Sequence, residues 1–256
     1  MPALWQYLIV CPFVFLAGLI DSVAGGGGLI SLPAYMASGL PVHMALGTNK
    51  FSSVFGTALS SVRYYMHKKT DLRTASVSIG FALIGAALGA RTVLFVDPLF
   101  LQYALLAVLP VIAVLVLKKK EFGEENKTEQ LSPAKRFFYA SAIGLVVGFY
   151  DGFFGPGTGT FLVLLYTWLL RCDLITASGN AKVINLASNI AAFATFLLNG
   201  EVHFLLGFPA MLCGLAGNFI GSGLALKKGA RIIRPVFILA LILLIAYVVN
   251  SLRLSR

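Results

Sequence analysis

The chain has 256 residues, of which 58% are hydrophobic and 12% charged, and its mean hydropathy is +0.87. Soluble domains carry about 25% charged residues, so these values exclude an ordinary soluble domain and point to a polytopic membrane protein. The formal charge of +10 does not argue for nucleic acid, because the basic residues sit in small groups beside apolar segments, as cytoplasmic loops do.

In chain order, apolar segments run over 4–24, 29–40, 45–66, 74–93 and 99–117, and then over 137–154, 158–170, 176–198, 204–226 and 232–252. The first segment lacks a basic leader and a small-residue cleavage site, and so reads as retained. Segments 29–40 and 158–170 would be about 18–20 Å long as helices, too short to span a bilayer. Each is read as the second arm of a hairpin bent at a glycine cluster, followed in each half by three full spans. Between the halves, residues 118–136 hold four of the ten acidic residues and few apolar ones, as expected of a solvated linker. Trp5, Trp168, Tyr64 and Tyr65 near segment ends read as interfacial anchors.

The halves resemble each other in detail. Gly18, Asp21, Gly25 and Gly27 recur 130 residues later as Gly148, Asp151, Gly155 and Gly157. Thr48, Asn49 and Lys50 match Asn180, Ala181 and Lys182 at an offset of 132, and the pair Gly85/Gly89 matches Gly217/Gly221 at the same offset. GxxxG pairs in apolar spans predict close helix packing. The basic loop 67–73 has a counterpart, 199–203, that is not basic, whereas the turn 96–98 is not basic and its counterpart 227–234 is. This alternation predicts inverted repeats, with 15 of the 20 basic residues on the cytoplasmic side and both termini outside. The expected fold is an all-α polytopic membrane protein: a first repeat at 1–117, a cytoplasmic linker at 118–136 and a second repeat at 137–256, each repeat a glycine-broken hairpin plus three spans.

Two aspartates in hydrocarbon are costly, roughly 2.5–3.5 kcal/mol each on insertion scales. Broken backbone at membrane depth is tolerated only where protein buries it or it lines a wet cavity. Matched breaks in a duplicated chain point to a transporter binding site. Asp21 and Asp151 have two open readings. Burial favours the protonated form of a carboxylate, which suits proton coupling; alternatively, each caps amides freed at its bend. Gly26, Gly27 and Gly28, and Gly157 with Thr158, place backbone amides at half-helix starts, where anions are favoured; helix packing is the plainer alternative. Lys182, Asn185 and Asn189 share one helix face, and Asn49 and Lys50, with Asn180 and Lys182, form matching polar sites. Two symmetry-related lysines would suit an anionic substrate, although snorkelling to an interface would also explain them.

Cys11, Cys172 and Cys213 form no CxxC pair, and His43, His67 and His203 show no metal-ligand spacing. No nucleotide-binding glycine motif and no catalytic Ser/His or His/carboxylate grouping occurs, so no metal, no cofactor and no enzyme activity is expected. The segment 17–28, Thr48 to Lys50, the segment 148–157 and the stretch from Ala181 to Asn185 resemble the TauE/SafE sulfite-exporter family, especially its YfcA-type bacterial members, over nearly the whole chain. That resemblance implies a multi-pass transporter of the bacterial inner membrane that moves sulfite, organosulfonates or related small organic anions. The partners it implies are a small anion and the lipid bilayer, with a homodimer left open and no nucleic acid. An anion channel of the same architecture is the alternative function.

Overall fold

The computed structural model describes residues 2–97, 100–101 and 125–228. Most of the expected segment 99–117, and all of 232–252, lie outside the described residues, as do positions 118–124 of the linker. Among the described residues the chain is all helical, with eight α-helices and one 3-10 turn. They are α1 (Leu4–Ala24), α2 (Gly28–Ala37), α3 (Val42–Met66), α4 (Leu72–Val93), the turn Thr128–Gln130, α5 (Pro133–Phe153), α6 (Thr158–Trp168), α7 (Leu174–Leu198) and α8 (Phe204–Lys228). Four of them, α1, α4, α7 and α8, are long and apolar enough to cross a membrane. The 10 residues of α2 and 11 of α6 give only about 15–17 Å each. Their short length agrees with the expected half-helices.

Local chemistry sets the helix ends. Asp71 accepts from the amides of Arg73 and Thr74 at the start of α4, and Asp173 accepts from Ile175 and Thr176 at the start of α7. Such caps satisfy amides that have no partner within the helix. Ser132 caps α5, with Pro133 at its first position, where a missing N–H costs nothing. At the first bend Gly25 has φ +73° and lies against the second bend: a side chain there would overlap the backbone of Gly159 and Thr160. Thr160 Oγ1 donates to the Gly25 carbonyl at 3.1 Å. The two glycine bends therefore meet.

The long helices pack through small residues. Gly85 and Gly89 of α4 lie on the backbone of Leu145 and Phe149 in α5, while Gly217 and Gly221 of α8 lie on Phe15 and Leu19 in α1. Every residue in the second contact is offset from its counterpart in the first by the spacings found in the sequence. Two more contacts repeat in this way. Gly47 in α3 faces the Glu201 carbonyl and Gly179 in α7 faces that of Lys69; Thr48 Oγ1 accepts from His203 N at 2.9 Å and Asn180 Oδ1 accepts from Asp71 N at 2.8 Å. Helix α7 thus begins beside the end of α3, and the two run antiparallel. Many large apolar side chains remain on the outside, Leu8, Phe13, Ile84, Val146 and Leu212 among them, as a lipid-facing surface requires.

One expectation is corrected. Tyr64 is not an interfacial anchor: it is fully buried, and its hydroxyl donates to the Ser22 carbonyl at 3.1 Å. The described end of the linker is mostly exposed, in line with the expectation, and is tied down at one place. Lys127 N donates to the Arg171 carbonyl at 2.8 Å, and Thr128 is 4% exposed beside Cys172. A polar loop can be held this way when a neighbouring loop offers carbonyls for its amides.

Candidate substrate site

Four charged side chains lie where the bends and α3 and α7 converge. Lys50 Nζ lies 2.7 Å from Asp151 Oδ1, with the two side chains 3% and 2% exposed. Lys182 Nζ lies 2.8 Å from Asp21 Oδ2, with exposures of 1% and 15%. Each lysine therefore pairs with the aspartate of the opposite half. Lys50 and Lys182 are the ninth residues of their 25-residue helices. Lys50 Nζ also donates to Asn189 Oδ1 at 3.0 Å, two turns along α7 from Lys182. At 1.5 Å per residue the backbone positions of Lys182 and Asn189 are about 10 Å apart along α7.

A buried ion pair recovers its desolvation cost only when its remaining donors and acceptors are also bonded. Here they are. Ser188 donates to Asp151 Oδ2 at 2.6 Å. Gly27 N donates to Asp21 Oδ1 at 3.3 Å, and Lys182 donates to both the Asp21 carboxylate and the Asp21 backbone carbonyl. Snorkelling is thereby ruled out for both lysines: each is buried within its helix and paired. The capping reading holds in part for Asp21, which accepts an amide at the bend. Both Asp151 oxygens instead meet side chains of α3 and α7.

Beside the first pair lies a cavity of about 40 Å³. One water needs about 10–15 Å³, so the space suits a few waters or one compact solute. Of the residues expected at a binding site, Gly26, Gly27, Gly28 and Asn49 line it from the first half. Lys50, Thr158, Asn185 and Asn189 line it too, with Asp21 and Asp151 at its wall. Asn189 Nδ2 lies 3.4 Å from Asn185 Oδ1, in keeping with the expected shared face. Three expected residues lie elsewhere. Asn180 braces the loop before α4, Lys182 is turned onto Asp21, and Gly157, with φ +83°, starts α6 outside the cavity lining.

Sequence reasoning missed several lining residues. Ser31 donates to Asn49 Oδ1 at 2.6 Å, and Asn218 accepts from Ser60 at 2.8 Å; Thr57 lines the same wall. Ser31 and Asn218 are uncharged polar residues flanked by apolar or glycine neighbours in their helices, which is the one signal that could have marked them. No grouping of three or more His, Cys, Asp or Glu suited to a metal occurs among the described residues.

Comparison with known proteins places this geometry in a family. The sequence profile described as "Sulfite exporter TauE/SafE" matches residues 10–248. The chain is 36% identical over 226 residues to a "Probable membrane transporter protein" of Haemophilus influenzae, covering 88% of this chain and 87% of that one. It is 35% identical over 224 residues to "Probable membrane transporter protein YfcA" of Escherichia coli, covering 88% and 82%, and 34% identical over 241 residues to "Probable membrane transporter protein ORF9" of a Sinorhizobium species, covering 94% and 90%. No solved structure matches the chain. The profile match over residues 10–248, with relatives 34–36% identical over most of both chains, makes this multi-pass membrane protein a member of the TauE/SafE sulfite-exporter family.

Proposed function

We propose that the protein is a secondary transporter of the bacterial inner membrane that moves a small anion such as sulfite, an organosulfonate or a related organic acid. One observation carries the reading: Lys50, a buried cation, lines a small polar cavity between two broken-helix bends. Its neighbours Asn49, Asn185 and Asn189 can bond a polar solute that has left water. The cavity is far narrower than an open aqueous pore, which favours carrier over channel. The proposed framework is two inverted repeats, 1–117 and 137–256, supported by the antiparallel course of α3 and α7 and by the repeated contacts of α4 with α5 and α8 with α1.

Flux of sulfite and of methanesulfonate in proteoliposomes tests the reading. A carrier shows saturable uptake accelerated by the same anion trapped inside. Uptake that is unaffected by trapped anion and does not saturate indicates a channel. Absence of flux for both anions rejects this substrate class.

A further inference from the structure

We propose that the Asp151 carboxylate occupies the seat of the transported anion on Lys50, so that one anion enters together with one proton. The inference rests on the anion-transport reading and assigns different work to the two ion pairs. Lys182 is committed elsewhere: it donates to both the carboxylate and the backbone carbonyl of Asp21. It thus adds a second bond to a carbonyl that Gly25 N already reaches where α1 ends, as cations at helix C-termini do, and it is not part of the cavity lining. Lys50 does line the cavity, and its Nζ is shared between Asp151 Oδ1 and the neutral Asn189 Oδ1.

An anion that approached Lys50 while Asp151 is ionised would place two negative charges on one ammonium in a site with little water. Like charges so close strongly favour protonation of one of them. Taking up a proton frees Asp151 from Lys50, while Ser188 remains 2.6 Å from its second oxygen to keep it bonded. Before entry the pair carries one positive and one negative charge. After entry it holds the Lys50 ammonium, a neutral Asp151 acid and the anion. The charge balance is unchanged, so the step moves one proton and one singly charged anion with no net charge.

The groups that act on Asp151 can be named. Lys50 of α3 is its partner, and the neighbouring pair of Asp21 from α1 and Lys182 from α7 is neutral as a unit. Tyr150 adjoins it on its own helix. The residues that α4 and α6 bury include no Asp, Glu, Lys, Arg or His, and the Tyr166 hydroxyl is engaged with Ser78.

The test uses the full-length protein in proteoliposomes with methanesulfonate, an anion whose single charge does not vary across the pH range used, and sulfite in a parallel arm. Wild-type flux of methanesulfonate is expected to rise on acidification of the loading side by up to about tenfold per pH unit. A trapped pH dye should record one proton per anion, and an imposed membrane potential should leave the rate unchanged. Asp151→Asn should still exchange methanesulfonate across the membrane but lose the pH slope. The double variant Lys50→Gln/Asp151→Asn leaves no unpaired buried charge; it should express normally and lose at least about tenfold in saturable flux, the scale of one lost charge-assisted contact. Potential-driven or proton-independent wild-type flux overturns the proposal even if Asp151→Asn fails to fold. So does a pH slope that survives in Asp151→Asn, or full flux in the double variant. Absence of wild-type flux for both anions rejects the transporter reading itself.

Discussion

The two halves place like residues at like positions and yet differ, among the described residues, in what they put around the buried ion pairs. On the cavity side stand Ser31, Asn49, Ser52 and Asn218. Their counterparts at the same offsets are Phe161, Ala181, Ile184 and Ala86. Ala181, Ile184 and Ala86 are buried, and Phe161, Ala181 and Ile184 belong to or pack against an apolar core around Leu162 and Tyr166. The repeated features are the ones that join helices: crossed ion pairs, glycine contacts and paired backbone braces. The features that differ are side chains that either open or fill a space. The repeated contacts supply a framework, and side-chain differences between equivalent positions decide where that framework leaves a polar space and where it is filled.

The largest expected contrast is between the ion pairs. Lys50→Met leaves Asp151, 2% exposed, bonded to Ser188 but without its countercharge, and breaking such a pair costs about 3–5 kcal/mol. Lys182→Met leaves Asp21, 15% exposed and still bonded to Gly27 N, so the loss should be smaller. Thermal unfolding of the detergent-solubilised protein checks the order, and a larger loss from Lys182→Met would reverse the assignment of roles.

Next come the bends. Gly25→Ala should cost about 1–3 kcal/mol through overlap with the second bend, to which the strain of positive φ is added. Gly157 has comparable φ but nothing closer than Phe161 at 3.9 Å. Gly157→Asn should therefore be nearly neutral, since Asn accepts the left-handed region. Equal losses in the two variants would mean that backbone strain, and not contact between the bends, governs both.

On the cavity wall, Asn218→Ala removes the bond from Ser60 and should cost about 1 kcal/mol in stability. Its counterpart change, Ala86→Asn, places an unpaired amide in a packed seam and should cost more, about 1–3 kcal/mol. Anion affinity should fall for the first and not for the second, as measured by concentration-dependent flux. The smallest effect is expected at a cap: Asp71→Ala should cost about 1 kcal/mol. At the matching helix start the His203 ring accepts only from Leu206 N, at 3.2 Å, so His203→Ala should cost less.

Much of the fold was legible along the chain because its determinants are local. Segment 4–24 coincides with α1, and the expected starts of α3, α4, α5 and α7 fall two to four residues late, since Pro41, Asp71, Ser132 and Asp173 cap helices from outside the apolar run. The end of the second segment was read at Leu40, whereas α2 stops at Ala37, since apolar residues continue through the turn. The candidate site was half legible. Lysines and aspartates in hydrocarbon announce themselves by cost, so Lys50, Lys182, Asp21 and Asp151 stood out; Ser31, Thr57 and Asn218 did not, because a small polar side chain in a membrane helix often bonds its own backbone.

By itself the sequence determined the membrane class, the helical segments, the two broken bends and the polar face of α7, since hydropathy, glycine content and helical period act over a few residues. Only the tertiary structure decided which charges meet. Lys50 pairs with a residue 101 positions away and Lys182 with one 161 positions away, and no local pattern distinguishes a crossed pairing from a pairing within each half. It also decided that Lys182 faces a helix end while Lys50 faces a cavity. That difference depends on how four helices and two bends close around 40 Å³ of space, because packing assigns a charge its surroundings only once the neighbours from both halves are in place.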